Sequence, residues 1–106
     1  VAVACFLAAA CGASPLEVYG VPAGTFTIDL GQEIAIQMGT VGPGEYVSPP
    51  VLNGSAIQFL EVTQGDPVPA GARQIFHFKG VANGQTVIQF HNTNFRSDVS
   101  DTVVVR

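Results

Sequence analysis

The chain has no tryptophan, one methionine and two cysteines in 106 residues. Both cysteines, Cys5 and Cys11, fall near the N-terminus. The rest of the chain therefore has no thiols for a disulfide framework or a paired-cysteine zinc site. Charge is also scarce: 11% of residues carry it, and only Arg73, Lys79, Arg96 and Arg106 are basic. Four scattered cations do not make the positive footprint that nucleic-acid binding needs. The net charge of −4 favours solubility and names no partner. There is no nucleophile elbow, P-loop or HExxH pattern. Without a nucleophile and base to position, neither catalysis nor a cofactor is expected.

What the chain does have is apolar character, 47% of its residues, in a length that suits one domain. It opens with "VAVACFLAAAC", eleven uncharged residues followed by "GASP". That is the length of a signal-peptide apolar region and is too short to cross a bilayer, which takes about 20 residues. The stretch Ala8-Ala9-Ala10-Cys11, with Leu7 before it, resembles the lipobox of bacterial lipoproteins. The resemblance implies cleavage before Cys11 and acylation of that cysteine, which anchors the protein to the membrane through about 0.8 kcal/mol per buried CH₂. Ala8 stands where that family prefers a larger aliphatic residue. An ordinary secretion signal cut near Ala10, a core helix, and a Cys5–Cys11 disulfide are the competing readings. Under the lipoprotein reading the address is the bacterial cell envelope, at the outer membrane or cell surface.

This divides the chain into a signal segment over residues 1–10, the lipidated Cys11 with a tether over 11–24, and a folded domain over 25–106. The tether, "GASPLEVYGVPAG" after the cysteine, is rich in Gly, Pro and Ala, and its "LEVY" can form a short edge strand. From Thr25 onward apolar residues alternate with period two. Phe26, Ile28 and Leu30 share one face, as do Ile34, Ile36 and Met38. Ile57, Phe59 and Val62 follow across an irregularity at Leu60, and then Phe76 with Phe78, Ile88 with Phe90, and Val103 with Val105. The expected fold is all-β, an antiparallel immunoglobulin-like β-sandwich of six to seven strands, with a small barrel as the alternative.

The expected register pairs Lys79 with Gln85 and His77 with Val87 across a hairpin at 80–84, and opposes Leu30 to Ile34 across residues 31–33. Counting a short strand at Val51–Leu52, the connections alternate short and long, so the three long ones gather at one end of the sandwich. Strand order places the tether at that same end. Loops on a rigid scaffold are where binding usually sits.

Individual polar residues offer little chemistry. His77 and His91, about 13 Å apart in that register, are too distant to share a metal. A copper site of the cupredoxin type is excluded because both cysteines lie in the first eleven residues and Met38 alternates with core residues. Asp98 and Asp101 flank the last strand and read as turn and edge residues.

The layout from Thr25 to Arg106 resembles the chagasin-type inhibitors of papain-like cysteine proteases, which present three loops at one end of an immunoglobulin-like sandwich. In the position of the first loop stands "GTVGPGEYVSPP", where Gly44 and Tyr46 loosely echo a Gly-aromatic pair. In the second, "PAGARQIFHF" carries Gly71 before a Phe-x-Phe strand. In the third, "NTNFRSD" places Phe95 before Arg96 and lacks the usual proline. The resemblance implies a protein partner gripped by Tyr46, Gly44, Gly71, Phe95 and Arg96. The leading reading is a non-enzymatic, lipid-anchored envelope domain with a protein-interaction or structural role. Tyr46, Phe95 and Arg96 offer it candidate contacts, unless Tyr46 packs on the sandwich and "GPGEYVSPP" is a stiff connection between sheets. Inhibition of papain-like cysteine proteases, implied by the resemblance, is the alternative. The anchor assignment predicts that cells expressing the chain incorporate radiolabelled palmitate and that Cys11→Ser abolishes it. Label that survives the substitution overturns the anchor.

Overall fold

Period-two alternation in short runs, separated by Gly, Pro and Asn, leaves each strand one apolar face to bury, and two sheets bury those faces on each other. The structure is a computed structural model that describes residues 14–38, 46–65, 73–93 and 98–106. In chain order the strands are β1 Leu16–Tyr19, β2 Thr25–Ile28, β3 Glu33–Met38, β4 Val51–Asn53, β5 Ile57–Gln64, β6 Gln74–Gly80, β7 Gly84–Phe90 and β8 Val99–Val105. They form two four-stranded sheets, ordered β1-β3-β6-β5 and β2-β8-β7-β4. The all-β sandwich is as expected. Among the described residues, however, there are eight strands, and two pairings are parallel, β1 with β3 and β2 with β8.

Both parallel pairings follow from how the chain changes sheets. β1 lies on the edge of one sheet, where "LEVY" was expected to form a strand, and buries part of Leu16 and Val18 against the core. The chain then crosses to the other sheet as β2 and crosses back as β3. The hairpin expected at 31–33 is therefore a crossover, and Leu30, beyond the end of β2, is exposed. The hairpin expected at 80–84 is also a crossover. Lys79 pairs with Glu33 and Gln58, and His77 pairs with Ala35 and Glu61, all in the first sheet. Gln85 pairs with Val104, and Val87 with Thr102 and Asn53, in the second. Phe76, Phe78, Ile88 and Phe90 still meet in one core, but they face one another across the sandwich instead of lying side by side.

The core consists of the residues that the alternation marked. Ile34, Ile36, Met38, Phe76, Phe78, Ile88, Phe90, Val103 and Val105 are all buried. Fully burying each such side chain is worth about 1.5–3 kcal/mol. Phe76 of one sheet meets Phe90 of the other with ring centroids 5.0 Å apart at 69°, and Phe59 leans on both Phe76 and Phe78. A bulge between Phe59 and Glu61 turns Leu60 outward and restores Val62 to the inner side, the irregularity that the sequence indicated. Thr86 is the polar exception on β7, where its hydroxyl accepts the Ala56 N–H at 2.9 Å. Gly54, at φ +130°, passes over it too closely for any Cβ.

Two corrections concern the ends of the molecule. Asp98 does sit at the surface before β8, paired with His91. Asp101 is not an edge or turn residue. It is inside β8, on the inner face with Val103 and Val105, and is fully buried. The tether also leaves from the other pole. Because β1 runs parallel to β3, Leu16 lies level with Ile34 at the short-loop end, where Gln32 donates a side-chain hydrogen bond to the Ser14 carbonyl at 3.1 Å. The chain reaches the long-loop end only at residues 20–24, after β1 has run the length of the sheet.

Phe76→Ala is predicted to cost about 3–5 kcal/mol in urea unfolding, by removing the ring at the centre of the inter-sheet contact. Leu30→Ala is predicted to stay within about 0.5 kcal/mol. Similar losses for the two would contradict this account of the core.

Candidate functional site: the long-loop end

Three long connections join β3 to β4, β5 to β6 and β7 to β8, and their stems converge. Met38 ends β3 opposite Gln74, the first residue of β6. Gly65 N–H donates to the Arg73 carbonyl at 2.8 Å and closes the second stem. Tyr46 forms an isolated bridge with Asn92, and Val47 N–H donates to the His91 carbonyl at 2.8 Å, so the first connection is tied to the third. Arg73 Nη1 donates to Gln37 Oε1 at 2.7 Å, joining the second stem to β3.

Gln74 is the centre of this arrangement. Its Oε1 accepts the Tyr46 N–H at 2.7 Å and its Nε2 donates to the Tyr46 carbonyl at 3.1 Å. One side-chain amide thus satisfies both backbone groups of a residue that lies outside any sheet ladder, where each group would otherwise be costly to bury. With its backbone held, Tyr46 turns its ring inward. It is 5% exposed and packs edge-on to Phe90, with centroids 6.1 Å apart at 79°. Beside it lies a cleft of about 470 Å³ flanked by Val47, Ser48, Val62, Gln64 and Thr93, none of which carries a charge.

Tyr46 is thus packed on the end of the sandwich, where its ring seats the described end of the first connection. Cys11, Gly44, Gly71, Phe95 and Arg96 lie outside the described residues. The sequence reading missed Gln74, because a glutamine at the start of a strand has no pattern that separates a clamp from a solvated side chain. It also misplaced the histidines relative to each other. His77 belongs to β6 of the first sheet and bonds Thr63 Oγ1 through Nε2 at 2.8 Å, whereas His91 follows β7 of the second and holds Asp98 Oδ1 through Nδ1 at 2.8 Å. Among the described residues no three His, Cys, Asp or Glu side chains gather as a metal site would require.

The geometry defines an immunoglobulin-like sandwich with three connections stemmed together at one end. No protein-family model matches the chain, and no curated protein does. Among solved structures it is similar to the cysteine protease inhibitor EhICP2 from Entamoeba histolytica. The TM-score is 0.66 at 16% identity, over 88% of this chain and 96% of that one. It is also similar to amebosin, solved in solution, at TM-score 0.49 and 12% identity, over 88% of this chain and all of that one. At such identities the likeness is one of fold.

Gln74→Ala is predicted to lower stability by about 1–3 kcal/mol, the worth of two part-buried hydrogen bonds. It should also speed hydrogen exchange at the Tyr46 amide. An unchanged Tyr46 amide would remove Gln74 from its clamping role.

Proposed function

We propose that the chain is a non-enzymatic protein ligand that inhibits papain-like cysteine proteases through its long-loop end. The observation that carries this reading is the convergence of three loop stems on the Gln74–Tyr46 clamp. A partner gripped by three loops is bound well only if the loops are held in register beforehand, because ordering them on contact costs about 0.5–1.5 kcal/mol for each immobilised side chain. The fold shared with a cysteine protease inhibitor supports the choice of partner class over an unspecified envelope partner.

Within this reading Gly44 and Gly71 allow the backbone to approach the protease cleft closely, and Phe95 and Arg96 supply an aromatic and a cationic anchor of the kind that dominates interface energies. Tyr46 contributes from behind by seating the first connection. The lipobox-like run before Cys11 supports attachment to a bacterial envelope, where the inhibitor would meet proteases outside the cytoplasm.

Titration of a papain-like protease with the purified domain tests the reading. Inhibition is expected at or below micromolar concentration, and Phe95→Ala or Arg96→Ala should weaken it at least tenfold, about 1.4 kcal/mol. No inhibition at micromolar domain would leave an envelope interaction module without this target.

A further inference from the structure

At the long-loop end the chain crosses from β1 to β2 over a buried carboxyl group. Asp101 Oδ1 accepts the Gly24 N–H at 2.8 Å. Oδ2 is buried with no hydrogen-bond partner among the described residues. A Cβ placed on Gly20 would lie 2.8 Å from that oxygen and 2.6 Å from both Ile36 Cγ2 and Met38 Sδ, so only a glycine lets the chain pass this close. The crossing is fastened at both ends. Gly20 N–H donates to the Gln37 carbonyl at 3.0 Å, and Thr102 N–H donates to the Gly24 carbonyl at 3.0 Å. Between these points Val21, Pro22 and Ala23 are exposed, while Gly20 is buried. The crossing therefore separates Oδ2 from water and ties the two sheets together.

Among the described residues no charge compensates this carboxyl. Inward residues from the elements around it, Val18 of β1, Phe26 of β2, Ile36 and Met38 of β3 and Ile88 of β7, are all apolar. Glu17 and Tyr19 of β1 alternate to the outer face, as does Glu33 of β3. Asp98, ahead of β8, is engaged with His91 at the surface. A carboxylate here keeps one donor and loses its remaining hydration, whereas the neutral acid loses much less.

We propose that Asp101 and residues 20–24 form a proton-operated clasp: the neutral carboxyl keeps β1 and the crossing seated, and its ionisation loosens them. Burial pushes the Asp101 pKa up from its ordinary 3.8 to about 6, partly opposed by the Gly24 N–H. The native state thus binds this proton more tightly than the unfolded chain. Its stabilising effect is complete below about pH 3.8, declines as pH rises, and is lost above about pH 6. The clasp acts on the fold itself, whatever the long loops grip, so its test involves no protease.

Asp101→Asn keeps the shape and the Oδ1 acceptor but cannot ionise. Between pH 4.5 and 7.5 the folding equilibrium of the unaltered chain should fall by roughly 25-fold more than that of the variant, as linkage for such a shift requires. Amide exchange at Gly20 and Gly24, corrected for its intrinsic pH dependence, should accelerate above pH 6 in the unaltered chain alone. Equal pH dependence in both proteins would overturn the clasp. If Asp101→Asn does not fold, the Asp101 carboxyl carbon is titrated by NMR in the unaltered chain. A midpoint near 6, followed by the Gly24 amide shift, supports the proposal, and a midpoint below about 4.5 overturns it.

Discussion

Phe76 and Phe90 meet at the middle of the sandwich, each from a different sheet, and their edge-to-face contact is the joint on which the rest of the molecule closes. Phe59 and Phe78 thicken the joint on one side, and Tyr46 extends it toward the long loops by packing on Phe90. This continuity matters because a loop gains rigidity only from what it is fastened to. The first connection is fastened to the aromatic core through the Tyr46 ring, and to β6 through both backbone groups of the same residue. A side chain that looks like a recognition residue in the sequence is therefore an extension of the aromatic core.

Which residues face inward was legible from the sequence, because alternation assigns a face to each strand with no knowledge of its neighbours. Ile34, Ile36, Met38, Phe76, Phe78, Ile88, Phe90, Val103 and Val105 were all marked and are all buried. Which strands pair was much less legible, for a related reason. Two strands with apolar faces toward a common core satisfy the same pattern whether they are adjacent in one sheet or opposed in two. That symmetry turned two crossovers into hairpins at 31–33 and 80–84. Asp101 is a different kind of miss, because its signal was present: it stands two residues before Val103, in phase with the inward face. The general preference of carboxylates for water outweighed the periodicity, and here the periodicity was right. The Gln74 clamp had no such signal, since it depends on where the backbone of a residue 28 positions away comes to lie.

The two polar features of the long-loop end therefore differ in character. The Gln74–Tyr46 clamp joins a side-chain amide to backbone N–H and carbonyl groups, reciprocally and with both satisfied. The Asp101 carboxyl under the β1–β2 crossing is ionisable, half satisfied and enclosed. The first fastens Tyr46 to β6, and the second underlies the proposed response of the neighbouring crossing to pH. Both act on the same pole of the sandwich from opposite sides of β3, the first through Gln74 beside Met38 and the second through Gly20 beside Met38.

The parallel pairing of β1 with β3 also has a mechanical meaning. β1 enters at the short-loop end and runs toward the long loops, with Leu16 through Tyr19 alongside Ile34 through Gln37. A pull on the chain at residue 14, resisted by a partner held at the long-loop pole, acts along the strand axis. All the β1–β3 hydrogen bonds then share that load in shear, whereas a strand entering from the other end would be peeled away one bond at a time. Under such a load the short edge strand would resist in shear along its whole length.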